Sequence, residues 1–88
     1  MPSISMFYGI TIYMYQRDDG KHKTPHIHAK YAGEYTSFDI TTGDIIKGKM
    51  PNKQAQLVKA WILFRNDELI ANWDLAIDGQ ALYKIAPL

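Results

Sequence analysis

The sequence predicts a two-layer α+β domain over residues 1–88. An antiparallel meander sheet of four to five strands comes from the N-terminal half, packed by one long or two consecutive C-terminal helices. Three observations carry this. Before Pro51, apolar and polar residues alternate with a period of two in short runs separated by Gly-containing turns. After Pro51 the apolar spacing becomes helical. With 88 residues, 47% of them apolar and 22% charged, the chain has the balance of a small globular domain and not of a disordered one.

Ser5-Met6-Phe7-Tyr8, before Gly9, reads as a short strand leading into Ile10-Thr11-Ile12-Tyr13-Met14-Tyr15. The alternation there sets Ile10, Ile12 and Met14 on one side. Gln16 to Pro25 is a polar loop with Asp18-Asp19-Gly20 as its turn signal. His26-Ile27-His28-Ala29-Lys30-Tyr31 alternates again, so His26, His28 and Lys30 share one face while Ile27, Ala29 and Tyr31 take the other. Ala32-Gly33 closes a two-residue hairpin onto Glu34–Ile40, with Gly supplying a positive φ. That register sets His26 opposite Asp39, His28 opposite Ser37 and Lys30 opposite Tyr35. A second turn, Thr41-Thr42-Gly43-Asp44, returns the chain from Ile45 to Lys49, with Ile40 and Ile45 meeting on the buried side.

Met50-Pro51-Asn52 opens the helical half, with Asn52 as a candidate N-cap. Leu57, Val58, Trp61 and Ile62 form one apolar face; Leu69, Ile70, Trp73, Ala76 and Ile77 form another. A single helix from Asn52 to Asp78 would be ~40 Å long, too long for a domain with a radius of gyration of roughly 12 Å. Asn66-Asp67-Glu68 offers a new start with acids in the first turn, so two helices broken near Asn66 are preferred; the rival is one unbroken dimerising helix. Gly79 ends the helix, and Ala81 to Ile85 is a candidate last strand. The helices cover Ile10, Ile12, Met14, Ile27, Ala29, Phe38 and Ile40. The opposite face carries Tyr13, Tyr15, His26, His28, Lys30, Tyr35, Ser37 and Asp39. Phe64 and Leu75 lie outside the main helical faces and mark either a protein contact or packing against the termini.

Several function classes fall away. With no cysteine there is neither a disulfide framework nor a thiolate zinc site. No apolar run reaches the ~18–20 residues of a membrane span, and Met1-Pro2-Ser3-Ile4 does not resemble a signal peptide. A cytoplasmic protein without membrane association is the expectation. Net charge is +1, unevenly spread: Lys21 to Lys59 holds seven lysines against Glu34, Asp39 and Asp44, whereas residues beyond Lys59 are net acidic. The basic part permits an anionic partner.

Three chemistries fit the His/Tyr/Lys face. His26 and His28, two apart on a strand, can converge on a metal ion, with Asp39 or His22 as third ligand, but Lys30 opposes a cation there. A His oriented by a carboxylate suits proton transfer near neutral pH. His26 and His28 as acid and base, Asp39 as orienter and Lys30 as phosphate stabiliser would suit a metal-independent ribonuclease. Tyr13, Tyr15 and Tyr35 beside Lys21, Lys23, Lys30, Lys47 and Lys49 could instead stack unpaired bases while the cations meet phosphates. The plain alternative is a solvated sheet face whose cross-strand pairs each contribute ~0.2–1 kcal/mol. A phosphate-binding glycine loop and a Ser/His/Asp nucleophile are both absent from the sequence, and no cofactor is expected.

Met1-Pro2-Ser3-Ile4-Ser5-Met6-Phe7-Tyr8-Gly9-Ile10, Pro25-His26-Ile27-His28-Ala29, Asp39-Ile40-Thr41-Thr42-Gly43, Gly48-Lys49-Met50-Pro51, Asn72-Trp73 and Ile85-Ala86-Pro87-Leu88 together resemble the domain-of-unknown-function family 4160 across the whole chain. The resemblance implies a short cytoplasmic prokaryotic protein, of a kind loosely labelled transcriptional regulator. It also implies a two-gene setting reminiscent of toxin–antitoxin pairs. It implies no activity. Family members commonly carry an acid at the position of Lys30, and Lys30 also removes the third histidine of a His-triad hydrolase. The expectation is a binding protein, monomeric or homodimeric, that recognises nucleic acid or a protein partner encoded by an adjacent gene through Tyr13, Tyr15, His26, His28, Lys30 and Tyr35. The ribonuclease-like toxin and the metal-binding protein are the alternatives.

Overall fold

A computed structural model describes residues 3–15 and 24–88. The Asp18-Asp19-Gly20 turn, Lys21, His22 and Lys23 lie outside the described residues. Among those described, five strands form one antiparallel sheet in sequence order: β1 (Ser3–Phe7), β2 (Ile10–Tyr13), β3 (His26–Tyr31), β4 (Glu34–Asp39) and β5 (Ile45–Lys47). Two helices follow, α1 (Asn52–Phe64) and α2 (Asn66–Ile77). This is the expected α+β meander with two consecutive C-terminal helices.

Two tight turns fix the sheet's register. Tyr8-Gly9 and Ala32-Gly33 have positive φ at both central residues, 49° and 76° in the first and 52° and 82° in the second. This is the backbone of a type I′ turn, whose twist matches that of the flanking strands. The first strand therefore runs from Ser3 to Phe7, and Tyr8 belongs to the turn. The second turn gives the anticipated pairs His26 with Asp39, His28 with Ser37, and Lys30 with Tyr35.

The hairpin after β4 differs from expectation. The Asp39 N–H donates to the Asp44 carbonyl (2.8 Å) and the Gly43 N–H to the Asp39 carbonyl (2.7 Å), so the loop is Ile40–Gly43. Phe38, not Ile40, faces Ile45, and β5 ends at Lys47 instead of Lys49. A register shift between Ser37 and Phe38 skips Ile46, and such a bulge ends regular pairing at a sheet edge. Ile40 is buried while Ile45 is 40% exposed. The loop lies under α1: a Cβ on Gly43 would stand 2.8 Å from Lys59 Cγ, and Gly43 itself has φ +81°. Only glycine meets both demands without displacement.

The helices break at Arg65, whose ψ of 24° departs from helical geometry. Hydrogen bonds from the Arg65 N–H to Trp61 and from the Leu69 N–H to Arg65 nevertheless carry the chain across. Asn66 Nδ2 donates to the Ile40 carbonyl, tying the break to the sheet. The longest dimension is 33 Å, shorter than the ~40 Å rod of one unbroken helix. Pro51 occupies the α1 cap position with no side-chain hydrogen bond, so Asn52 is the first helical residue and not the cap. α2 ends in a Schellman arrangement: the Gln80 N–H donates to Leu75 and the Gly79 N–H to Ala76.

The core contains every expected sheet residue, Ile10, Ile12, Met14, Ile27, Ala29, Phe38 and Ile40, beneath Val58, Trp61, Ile62, Leu69, Trp73 and Ala76. Leu57, Ile70 and Leu75 are half-buried. Ile77, in the last turn of α2, is exposed, as is Phe64 at 73%. Residues 81–85 form no strand. Asn72 is buried, and its amide group donates to the Tyr83 carbonyl (2.8 Å) while accepting the Tyr83 N–H (3.1 Å). With Tyr83 held by a side chain, the tail makes one sheet-like bond among the described residues, from the Ile85 N–H to the Ile4 carbonyl. Trp61 Nε1 donates to Ala86. Among the described residues no helix is long and apolar enough to cross a membrane.

Candidate functional site

The sheet face opposite the core is organised by the β3–β4 register. The Ile40 N–H donates to the Pro25 carbonyl, and the two-residue turn closes at Tyr31 and Glu34. His26–Asp39, His28–Ser37 and Lys30–Tyr35 are therefore the non-hydrogen-bonded pairs of the ladder, where facing side chains approach most closely. β2 adds Tyr13 opposite His28, and β5 adds Lys47 opposite Ser37. One row across four strands reads Tyr13, His28, Ser37, Lys47.

Ring contacts knit this face together. Tyr13 and Tyr15 stack with ring centroids 6.5 Å apart and planes within 8°. Tyr15 meets His28 at 4.6 Å, His28 meets His26 edge-on at 5.1 Å, and Tyr13 meets Tyr35 at 6.1 Å. Lys30 Nζ lies 5.6 Å from the Tyr35 ring centroid, within cation–π range. All six anticipated binding residues, Tyr13, Tyr15, His26, His28, Lys30 and Tyr35, are thus linked by contacts on one sheet face, with His26 itself buried.

The two imidazoles leave the backbone on the same side, but their surroundings differ. His26 is 9% exposed, and its ring lies 5.0 Å from that of Trp73 on α2. The strand alternation alone sets both rings clear of the helical layer, but His26 touches that layer through Trp73. His28 is half-buried among the tyrosines. His26 Nδ1 donates to the Thr24 carbonyl (2.8 Å). A carbonyl only accepts, so Nδ1 carries a proton. Asp39 pairs with His26 in register, but its Oδ1 accepts the Thr41 N–H (2.7 Å) at the head of the tight loop. Thr24, not Asp39, thus supplies the orienting acceptor for Nδ1. Ser37 Oγ and His28 Nδ1 are 3.4 Å apart, the long end of hydrogen bonding.

For metal binding, no group of three His, Asp or Glu side chains among the described residues could hold an ion. Asp39 does not join the histidines as a third ligand, and His22 lies outside those residues. Two participants escape sequence reasoning. Trp73 follows helical spacing and signals only core, and Thr24 acts through its backbone, which no side-chain pattern reveals.

Residues 9–74 match the model of the family described as a domain of unknown function, DUF4160. The chain belongs to DUF4160. The matched span contains the whole His/Tyr/Lys face, Lys47 and Trp73 included, while the Tyr83–Ala86 tail lies beyond it. No curated protein and no solved structure matches this DUF4160 chain.

Proposed function

We propose that this DUF4160 protein is a nucleic-acid-binding protein whose open sheet face takes single-stranded RNA or DNA. The supporting observation is the unbroken aromatic surface Tyr35, Tyr13, Tyr15, His28 with Lys30 and Lys47 on the same face. Aromatic rings on a sheet offer unpaired bases a sequence-tolerant platform, and lysines beside them meet phosphates. The setting we propose is the bacterial cytoplasm, within a two-gene toxin–antitoxin-like or regulatory system, as the family resemblance implies. A protein partner from the adjacent gene would complete it.

Burial of His26 weighs against the ribonuclease-like reading. A general acid or base must come within hydrogen-bonding reach of the substrate proton, and His26 presents 9% of its surface behind Trp73. The test is fluorescence anisotropy with labelled single-stranded RNA and DNA at several salt concentrations. Binding should weaken as salt rises, and Tyr13→Ala with Tyr35→Ala should weaken it by tenfold or more, about 1–3 kcal/mol per stacked base. His26→Gln/His28→Gln should leave measurable binding. Absence of binding to both nucleic acids at low salt overturns the reading, and RNA cleavage that disappears in the His26→Gln/His28→Gln variant replaces it with the enzyme.

A further inference from the structure

The two edges of the sheet are finished differently. Along β1 the C-terminal tail lies against the strand: the Ile85 N–H donates to Ile4, and Lys84 Nζ donates to the Ser3 carbonyl (2.6 Å). β5 is the last strand in the sheet, and among the described residues no strand pairs with its outer side. All three of its residues are exposed, Ile45 at 40% and Ile46 at 52%. An edge with free backbone groups and adjacent aliphatic side chains is a template for another strand.

Beside this edge, between β5 and α1, runs a groove of about 280 Å³ whose lining includes Phe38, Asp44, Ile45, Met50, Gln56 and Lys59. It falls just below the ~300 Å³ lower limit of drug-sized sites. Its apolar floor of Phe38, Ile45 and Met50 suits aliphatic side chains. A bare edge flanked by such a groove matches the strand-addition mode of peptide recognition, in which backbone bonds supply affinity and alternate side chains enter pockets.

Charge selects the occupant. Lys47, Lys49 and Lys53 lie on or just after β5, and among the described residues no carboxylate pairs with them. Asp44, in the groove wall, is already engaged by Lys59 at 3.1 Å. A second copy pairing edge to edge would bring two such lysine sets together, whereas an acidic strand would complement one set. We propose that β5 and its groove dock an extended acidic segment of another protein, alternating aliphatic with Asp or Glu residues, as a sixth strand.

The experiment is an amide-resolved NMR titration of the full chain with an acetylated, amidated Glu-Val-Glu-Val-Glu peptide and its Lys-Val counterpart. Saturable shifts are expected at Ile45, Ile46, Lys47 and Gln56, with the acidic peptide about tenfold tighter. N-methylation of alternate peptide amides should abolish binding, and Lys47→Glu/Lys49→Glu should reverse the charge preference. No saturation at millimolar peptide, or shifts confined to the tyrosine face, overturns the proposal. So does self-association of the free protein with protected amides at residues 45–47, which makes a second copy the occupant.

Discussion

The two faces of β3 show how one short strand serves two purposes. Ile27 and Ala29 are fully buried under the helices, whereas His28 and Lys30, alternating with them, keep partial access to solvent. On the covered side, apolar side chains meet a second layer, and removing them from water drives folding. On the other side, His and Tyr rings meet one another at 4.6–6.5 Å, and Trp73 of α2 reaches His26. Folding energy is therefore concentrated on the covered face, and the other is the one the proposed recognition would use. Substitutions on the two faces should separate stability from binding.

The largest expected effect lies on the covered face. Trp61 is fully buried, lies 5.3 Å from Phe7 ring to ring, and anchors Ala86 through Nε1. Trp61→Ala should cost about 3–5 kcal/mol, a large share of the ~5–15 kcal/mol of a typical domain. Urea unfolding followed by circular dichroism measures it. A loss under about 1 kcal/mol would mean the indole is not part of a packed core.

Next comes Asn72. Its amide group makes two hydrogen bonds to the Tyr83 backbone, and Asn72→Ala strands both Tyr83 groups at once. A loss of about 2 kcal/mol is expected, together with faster hydrogen exchange at the Ile85 amide as the tail lifts. Unchanged exchange at Ile85 would show that the Ile4 and Trp61 contacts hold the tail without Asn72.

Most of this arrangement is legible in the sequence because a strand's period is strict. Once Ala32-Gly33 is read as a two-residue turn, the β3–β4 pairs follow without freedom, and so does the composition of the tyrosine face. The β4–β5 hairpin is less legible. Thr41-Thr42-Gly43-Asp44 looks like a turn, but Asp39 caps the loop with its own carboxylate, and a bulge then moves Ile45 opposite Phe38. Side-chain hydrogen bonds of this kind leave no periodic trace. The tail is misread for a related reason: Ala81–Ile85 has strand composition, but Asn72, distant in sequence, takes the hydrogen bonds that a neighbouring strand would supply.

On the open face, stability and binding should part. Tyr35 is 47% exposed and Tyr13 half-buried, with cross-strand contacts each contributing ~0.2–1 kcal/mol. Tyr35→Ala should therefore shift the urea midpoint only slightly while weakening single-strand binding severalfold. A stability loss equal to that of Trp61→Ala would remove the distinction between the faces.

The smallest effect belongs to the loop joining β4 to β5, and it tests whether charge there contributes at all. The hydrogen bond from Lys59 Nζ and its positive charge, then the Thr42 hydroxyl, hold the Asp44 carboxyl below its ordinary value of 3.8 against a slight opposing desolvation. A carboxyl depressed on folding binds its proton less readily in the native state than in the unfolded chain. Its contribution is present above 3.8 and disappears as pH falls through the depressed folded value. Both partners are exposed, so solvent and salt screen the pair. Asp44→Asn should be slightly less stable than the parent protein at neutral pH and low salt, and the gap should close in molar salt or in acid. Paired urea titrations across pH decide this: a gap that persists in acid would assign the loss to the loop's hydrogen bonds instead of to its charge.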